Sequence, residues 1–258
     1  VLLVIDVGNT NIVLGAMVAG EVVEQWRIST ARRTTDEMGL VLLELLRLRG
    51  IATDRIQGVI ISCVVPSLLF NLTKACRRYL DIEAMVVGSG VKTGMRVRTD
   101  NPREVGADRV VNAVAATERW GTPVVVVDFG TATTFDCVDR RGDYVGGAIA
   151  PGLAISAEAL FQRTSKLPKV EVSRPRRAIG TNTIASMQSG LFHGYVGLVD
   201  HLAAVCKAEL RGPGDDPVFC VATGGFSNLI GRACSEIDEV DDALTLRGLW
   251  QLWERNKA

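Results

Sequence analysis

Histidine is scarce in this chain: His193 and His201 are the only two in 258 residues. They fall on one expected helix with no third ligand beside them, which argues against a zinc site. An excess of either charge is also lacking. The 29 basic residues equal the 29 acidic ones, so no net field draws the chain to nucleic acid or to a membrane surface. The longest apolar runs, such as Val59–Val65, fall far short of the ~20 residues that a spanning helix needs. The first residues lack the basic, apolar and small-residue order of a signal peptide. The six cysteines form no C-x-x-C pair and sit mostly in apolar stretches, which reads as reduced, buried thiols of a cytoplasmic protein.

Several familiar motifs are missing too. No G-x-G-x-x-G opens a helix after the first strand, which disfavours dinucleotide binding. No G-x-S-x-G elbow is present. Gly88-Ser89-Gly90-Val91-Lys92-Thr93 places Val91 where a Walker A loop needs glycine before its lysine, so it reads as a surface turn.

What is present is a strongly apolar chain with a repeated plan. Residues 1–6 read as a strand, and 11–18 and 21–28 as a hairpin around Ala19-Gly20. Thr34 and Glu37 fit a capping box that opens a helix through Leu48. Residues 59–65 read as a buried strand, followed by a helix to Tyr79, a short strand over 83–87 and a helix over 103–120. The plan then restarts. Residues 122–128 form a strand that ends on Asp128, followed by strands over 135–138 and 144–149 and a helix to Thr164. A long helix over 181–210, a strand over 217–222, a helix opening near Thr223–Ser227 and a terminal helix over 244–257 complete it.

The two halves share the order strand, Asp-x-Gly turn, hairpin, helix, strand, and their acidic turns lie about 120 residues apart. The fold expected is α/β: two related domains, each a mixed sheet flanked by helices, with a cleft between them. The boundary is expected within or beside the 103–120 helix, giving halves of 1–115 and 116–258, with the terminal helix free to pack back on the first.

The acidic turns carry chemistry. In Asp6-Val7-Gly8-Asn9-Thr10-Asn11, glycine lets a ligand approach the backbone. Exposed amides with Asn and Thr side chains can bond phosphate oxygens. A carboxylate beside phosphate needs a cation between them, and magnesium binds carboxylates and phosphates together. Asp128-Phe129-Gly130-Thr131 repeats the arrangement. One Asp-x-Gly after a strand is often only a turn; two at matching places are far more specific. Gly106-Ala107-Asp108-Arg109 adds a carboxylate that can accept a hydroxyl proton and an arginine that can grip an anion. The plain alternative there is a solvated ion pair.

Taken together, DVGNTN (6–11), NPREVGADR (101–109), DFGTATTFD (128–136), GGAIAPG (146–152), GTNT (180–183) and TGG (223–225) resemble the type III pantothenate kinases. That family lies in the actin, sugar-kinase and heat-shock-chaperone ATPase superfamily, whose domains are actin/ribonuclease-H-like. The resemblance implies ATP-dependent phosphorylation of pantothenate, the first step of coenzyme A synthesis, in a cytoplasmic homodimer. It implies that Asp6, Val7, Gly8, Asn9, Thr10, Asn11, Ile12 and Val13 surround the ATP phosphates, with Asp6 near Mg2+. Asp128 is similar to the ligand of a monovalent cation, K+ or NH4+, and Thr131 to an ATP contact. Gly106, Ala107, Asp108, Arg109 and Thr183 match the substrate contacts, with Asp108 as catalytic base. One position departs from the family: Thr99 stands where many members carry tyrosine before Asp-Asn-Pro. Two rival readings are a kinase for another small hydroxylated substrate on the same fold, and a nucleotide-dependent switch with little turnover.

Overall fold

The computed structural model describes residues 1–212 and 217–257. In chain order the first elements are β1 (Leu2–Val7), β2 (Asn11–Val18), β3 (Glu21–Ser29), α1 (Thr35–Leu48), β4 (Gly58–Cys63), α2 (Pro66–Leu80), β5 (Met85–Val86) and α3 (Ala107–Trp120). They are followed by β6 (Val124–Phe129), β7 (Ala132–Val138), β8 (Tyr144–Pro151), α4 (Leu153–Gln162), α5 (Thr183–Leu210), β9 (Phe219–Gly224), β10 (Glu239–Val240) and α6 (Leu244–Asn256). No helix among the described residues is long and apolar enough to cross a membrane.

The chain forms two compact units. One comprises Val1–Gly94, Arg103–Ala115 and Ala243–Ala258; the other comprises Met95–Pro102 and Ala116–Asp242. In the first, the sheet order is β3-β2-β1-β4-β5, with β1 antiparallel to β2 and parallel to β4. In the second it is β8-β7-β6-β9-β10, with β6 antiparallel to β7 and parallel to β9. The sequence repeat is therefore a repeat of topology: the acid-ended strand is central in each sheet, with a hairpin on one side and a parallel strand on the other.

Alternation along each central strand sorts its faces. Leu3, Ile5 and Val7 of β1 join Val59 and Ile61 of β4 in a core with Met38, Leu42 and Leu46 of α1 and Leu68 and Leu72 of α2. The opposite face carries Leu2, Val4 and Asp6. Leu246 of α6 packs there against Gly15 beside Val4, and Trp253 against Gly58, so close that a β-carbon at Gly58 would lie 2.2 Å from the indole. Thr245 of α6 donates to Asn112 of α3 at 2.7 Å, which ties α3 to the same face. In the second unit Val125, Val127 and Phe129 face a core with Leu191, Phe192 and Val199 of α5, leaving Asp128 on the other face.

Local signals explain most boundaries. The capping box at Thr34 and Glu37 is formed in both directions, worth about 1 kcal/mol to α1. Pro66 occupies the first turn of α2, so the strand expected over 59–65 ends at Cys63. Three further expectations are corrected. The 83–87 strand shrinks to Met85–Val86. The helix expected from Arg103 begins at Ala107, after a short 3-10 turn over Pro102–Glu104, because Gly106 and Pro102 interrupt regular bonding. No α-helix opens after Thr223: bonds such as Ser227 N to Gly224 O and Leu229 N to Phe226 O span three residues and make tight turns, then a 3-10 turn over Gly231–Ala233. β7 starts at Ala132, earlier than expected, and β10 had no visible signal. The six cysteines are free thiols; Cys63, Cys206 and Cys234 are only partly buried.

Candidate active site

Asp6 is the fifth residue of β1, and the apolar run before it places its side chain at the sheet's end on the α3 face. Its register partners are Val13 on β2 and Ser62 on β4. Asp6 Oδ1 is buried and has no hydrogen-bond partner among the described residues. Burial pushes the carboxyl up to about 7, the charge of Asp108 adds to the rise, and the nearby Ser62 hydroxyl works in the opposite direction. The carboxylates of Asp6 and Asp108, close enough for the charge of one to act on the other, form a donor set of the kind a divalent cation binds. The residues present therefore fit magnesium.

The turn after Asp6 is tightly held. Gly8 N donates to Asn11 O at 3.0 Å, and Thr30 closes the loop from behind, its hydroxyl donating to Gly8 O at 2.7 Å and its amide to Thr10 O at 2.9 Å. Asn9 and Thr10 are exposed and Asn11 is half-buried. Val7 and Ile12, by contrast, point into the apolar core. Of the eight residues matched to the phosphates, these two can reach a ligand only through their backbone.

Asp108 lies in the first turn of α3, where unpaired helix amides and the helix dipole favour a negative charge. Its Oδ1 accepts from the amide of Arg109 at 2.8 Å. A β-carbon on Gly106 would stand 2.4 Å from that same oxygen. Burial raises the Asp108 carboxyl above the usual carboxylate range; the Arg109 amide, and then its guanidinium charge, hold it back. Gly106, Ala107, Asp108 and Arg109 are all half-buried. The fold thus brings the Asp6 turn and the 106–109 segment together within one unit.

In the second unit Asp128 is again the fifth residue of the central strand, paired with Thr134 on β7 and Thr223 on β9. Gly224 curls against it with φ +92°, and a β-carbon there would lie 2.5 Å from Asp128 Oδ1 and 2.7 Å from the Phe129 amide nitrogen. Behind Thr134, the fully buried Asp136 accepts from the Tyr144 hydroxyl at 2.7 Å and from the Thr134 hydroxyl at 3.3 Å. An oxygen-rich cradle that a side chain at 224 would fill fits a monovalent cation at Asp128. Gly130 and Thr131 follow on the exposed turn.

Thr183 is the first residue of α5, whose cap Asn182 accepts from Ala185 N at 2.9 Å. With Thr181, Leu160, Leu167, Met187 and Leu191 it lines a cavity of about 680 Å³ in the second unit. Thr99 also belongs to this unit, and its hydroxyl is buried without a hydrogen-bond partner among the described residues.

Two central strands with matching topology, each carrying a carboxylate one residue before its end and a glycine in the turn that follows, define a two-sheet fold of the actin and sugar-kinase kind. A solved protein from Campylobacter jejuni assigned to the Baf family of transcriptional activators matches it with a TM-score of 0.61 at 17% identity, covering 98% of both chains. A structure from Porphyromonas gingivalis assigned as an N-acetylglucosamine kinase matches at 0.50 and 14%, covering 100% of both. At these identities the likeness is one of fold. The sequence goes further. Residues 2–205 match the family model described as type III pantothenate kinase. The type III pantothenate kinase of Geobacter sulfurreducens is 54% identical over 257 residues, covering 99% of each chain. This chain belongs to the type III pantothenate kinase family.

Some site features escaped sequence reasoning. Thr30 acts through contacts distant in sequence from the turn it supports, and Gly224, singled out within TGG (223–225), packs on Asp128, a contact its motif did not foretell. Ser62 left a signal, as a polar residue inside the apolar run 59–65, but only strand register puts it beside Asp6.

Proposed function

We propose that this chain transfers the terminal phosphoryl group of ATP to the hydroxyl of pantothenate, with Asp108 as the base that takes the hydroxyl proton. Family membership over the whole chain gives the reaction. The observation that supports the base is the position of Asp108, at a helix start beside the carboxylate of Asp6.

In this reading the amides after Gly8 and the side chains of Asn9, Thr10 and Asn11 bind the phosphates, with the backbone of Val7, Ile12 and Val13 completing the turn. Asp6 holds a magnesium ion, which supplies charge neutralisation on the phosphate oxygens. Thr131 contacts ATP, and Asp128 holds K+ or NH4+. Arg109 offers paired donors to the substrate carboxylate, Gly106 and Ala107 leave room for the substrate beside Asp108, and Thr183 is a further substrate contact. Phosphoryl transfer asks little covalent help of a protein, so orientation of the hydroxyl is the main task of Asp108. A carboxyl raised by burial is also a stronger base toward an alcohol.

The deciding experiment replaces Asp108 with Asn. Turnover is expected to fall by roughly 10²–10⁴-fold while binding of a non-hydrolysable ATP analogue persists. Turnover close to the parent would remove Asp108 from this role. A substrate panel separates the rivals: ADP release with pantothenate and not with sugars.

The working form in this reading is a homodimer. The second unit exposes Ile149 on the edge strand β8, Ile155 and Phe161 on α4, Ile179 in the loop before α5 and Ile184 in its first turn, apolar side chains that a second copy would cover. An ATP-consuming enzyme with six free thiols fits the cytoplasm.

A further inference from the structure

Ser62 is the one polar side chain in β4, between Ile61 and Cys63. It is 0% exposed, yet its hydroxyl has no hydrogen-bond partner among the described residues. Native interiors rarely leave such a group unmet, and alanine would fill the position without that cost. Register places Ser62 directly across from Asp6 on parallel strands, so both side chains leave the sheet on one face, the face that carries α3. Asp6 Oδ1 is the other buried, unpartnered oxygen at that place. The second unit repeats the pair: Thr223, 2% exposed, stands across from Asp128 on the parallel neighbour β9. A buried hydroxyl beside the acidic strand end is thus part of the repeated plan.

We propose that Ser62 is a positioning residue for Asp6: when the nucleotide's divalent cation binds, its side chain turns its hydroxyl to the inward Oδ1 and leaves Oδ2 presented to the cation. This rests on the reading of Asp6 as the magnesium anchor. A turn of the serine side chain about its Cα–Cβ bond carries the hydroxyl to the carboxylate with the strand in place, and the hydroxyl then donates to it. A carboxylate held at one oxygen keeps one orientation, so less freedom is lost when the ion binds. Ser62 touches neither phosphate nor acceptor; it acts through Asp6.

The test measures the magnesium concentration for half-maximal binding of a non-hydrolysable ATP analogue, by calorimetry, in the full-length protein. Ser62→Ala is expected to raise that midpoint by roughly tenfold, the scale of a lost hydrogen bond to a charged group. Ser62→Cys, which fills the same space with a weak donor, is expected to do the same, and carries the test if the alanine variant does not fold. Ser62→Thr, which keeps the hydroxyl as Thr223 does, is expected to stay within about threefold of the parent. In turnover assays, kcat at saturating magnesium is expected to change less than the magnesium midpoint. A midpoint in Ser62→Ala and Ser62→Cys within about twofold of the parent overturns the proposal, as does an equal rise in all three variants. Asp6→Asn separates the two levels. If it keeps magnesium-dependent binding, the anchor reading fails; if it loses it while Ser62→Ala does not, only the role of Ser62 fails.

Discussion

Gly106 lies so close to the carboxylate of Asp108 that a β-carbon there would stand 2.4 Å from Oδ1. The glycine leaves room for the carboxylate to fold back onto the amide of Arg109. Gly106→Ala is expected to push the carboxylate out of this position while the helix behind it, anchored by Asn112 and Thr245, stays formed. Turnover is expected to fall roughly 10–100-fold, since misplacing a reacting group by about 1 Å costs that much. Steady-state kinetics beside thermal melting check it; a loss of stability with kcat intact would count against the arrangement.

The Asp6 carboxyl links stability to pH. Its proton leaves near 7 in the folded chain, against 3.8 for the free group, with burial the main cause. Between those values the folded state binds more protons than the unfolded one, so stability is fullest below 3.8 and is lost as pH rises through about 7. The loss from this group is on the order of 4 kcal/mol. Urea unfolding of metal-free protein at pH 5 and pH 8 is expected to show it in the parent and not in Asp6→Asn. Magnesium with an ATP analogue is expected to restore stability at pH 8. Equal pH dependence in both proteins would contradict the burial of Asp6.

Gly224 has φ +92° and faces Asp128 at a distance that no side chain permits. Gly224→Ala is expected to cost about 1–3 kcal/mol of stability through backbone strain and to abolish stimulation by potassium, because the displaced atom is Asp128 Oδ1. Rates in potassium and in sodium buffers measure the second effect. Undiminished potassium stimulation in the variant would dissociate Asp128 from the cation.

Phe161 and Ile155 are exposed on α4. A charge at either position is expected to convert a dimer to monomers in sedimentation equilibrium, since burying it unpaired is strongly unfavourable. The same variants are expected to raise the KM for pantothenate more than that for ATP, because Leu160 of the same helix lines the cavity that holds Thr183. A parent protein that sediments as a monomer would refute the homodimer.

Elements with strong local signals were legible in advance. The capping box at Thr34, the hairpin at Ala19-Gly20 and the two apolar strands that carry Asp6 and Asp128 each depend on residues close in sequence. Elements that depend on distant partners were not. β10 is two residues long and exists because β9 offers it an edge. The helix expected after Thr223 is absent because Gly224 bends the chain onto Asp128 instead of leading it into a helical turn.

By itself, the sequence determined the duplicated plan, the acidic turns and the family, because alternation, turn chemistry and motif order are written in neighbouring residues. Only the tertiary structure decided which side chains share a face: that Val7 and Ile12 serve the core, that Asp108 stands beside Asp6, and that Ser62 joins them. Register and helix docking settle those pairings. They arise from burying one apolar face of a sheet while the other receives α3 and α6, a condition no short stretch of chain contains.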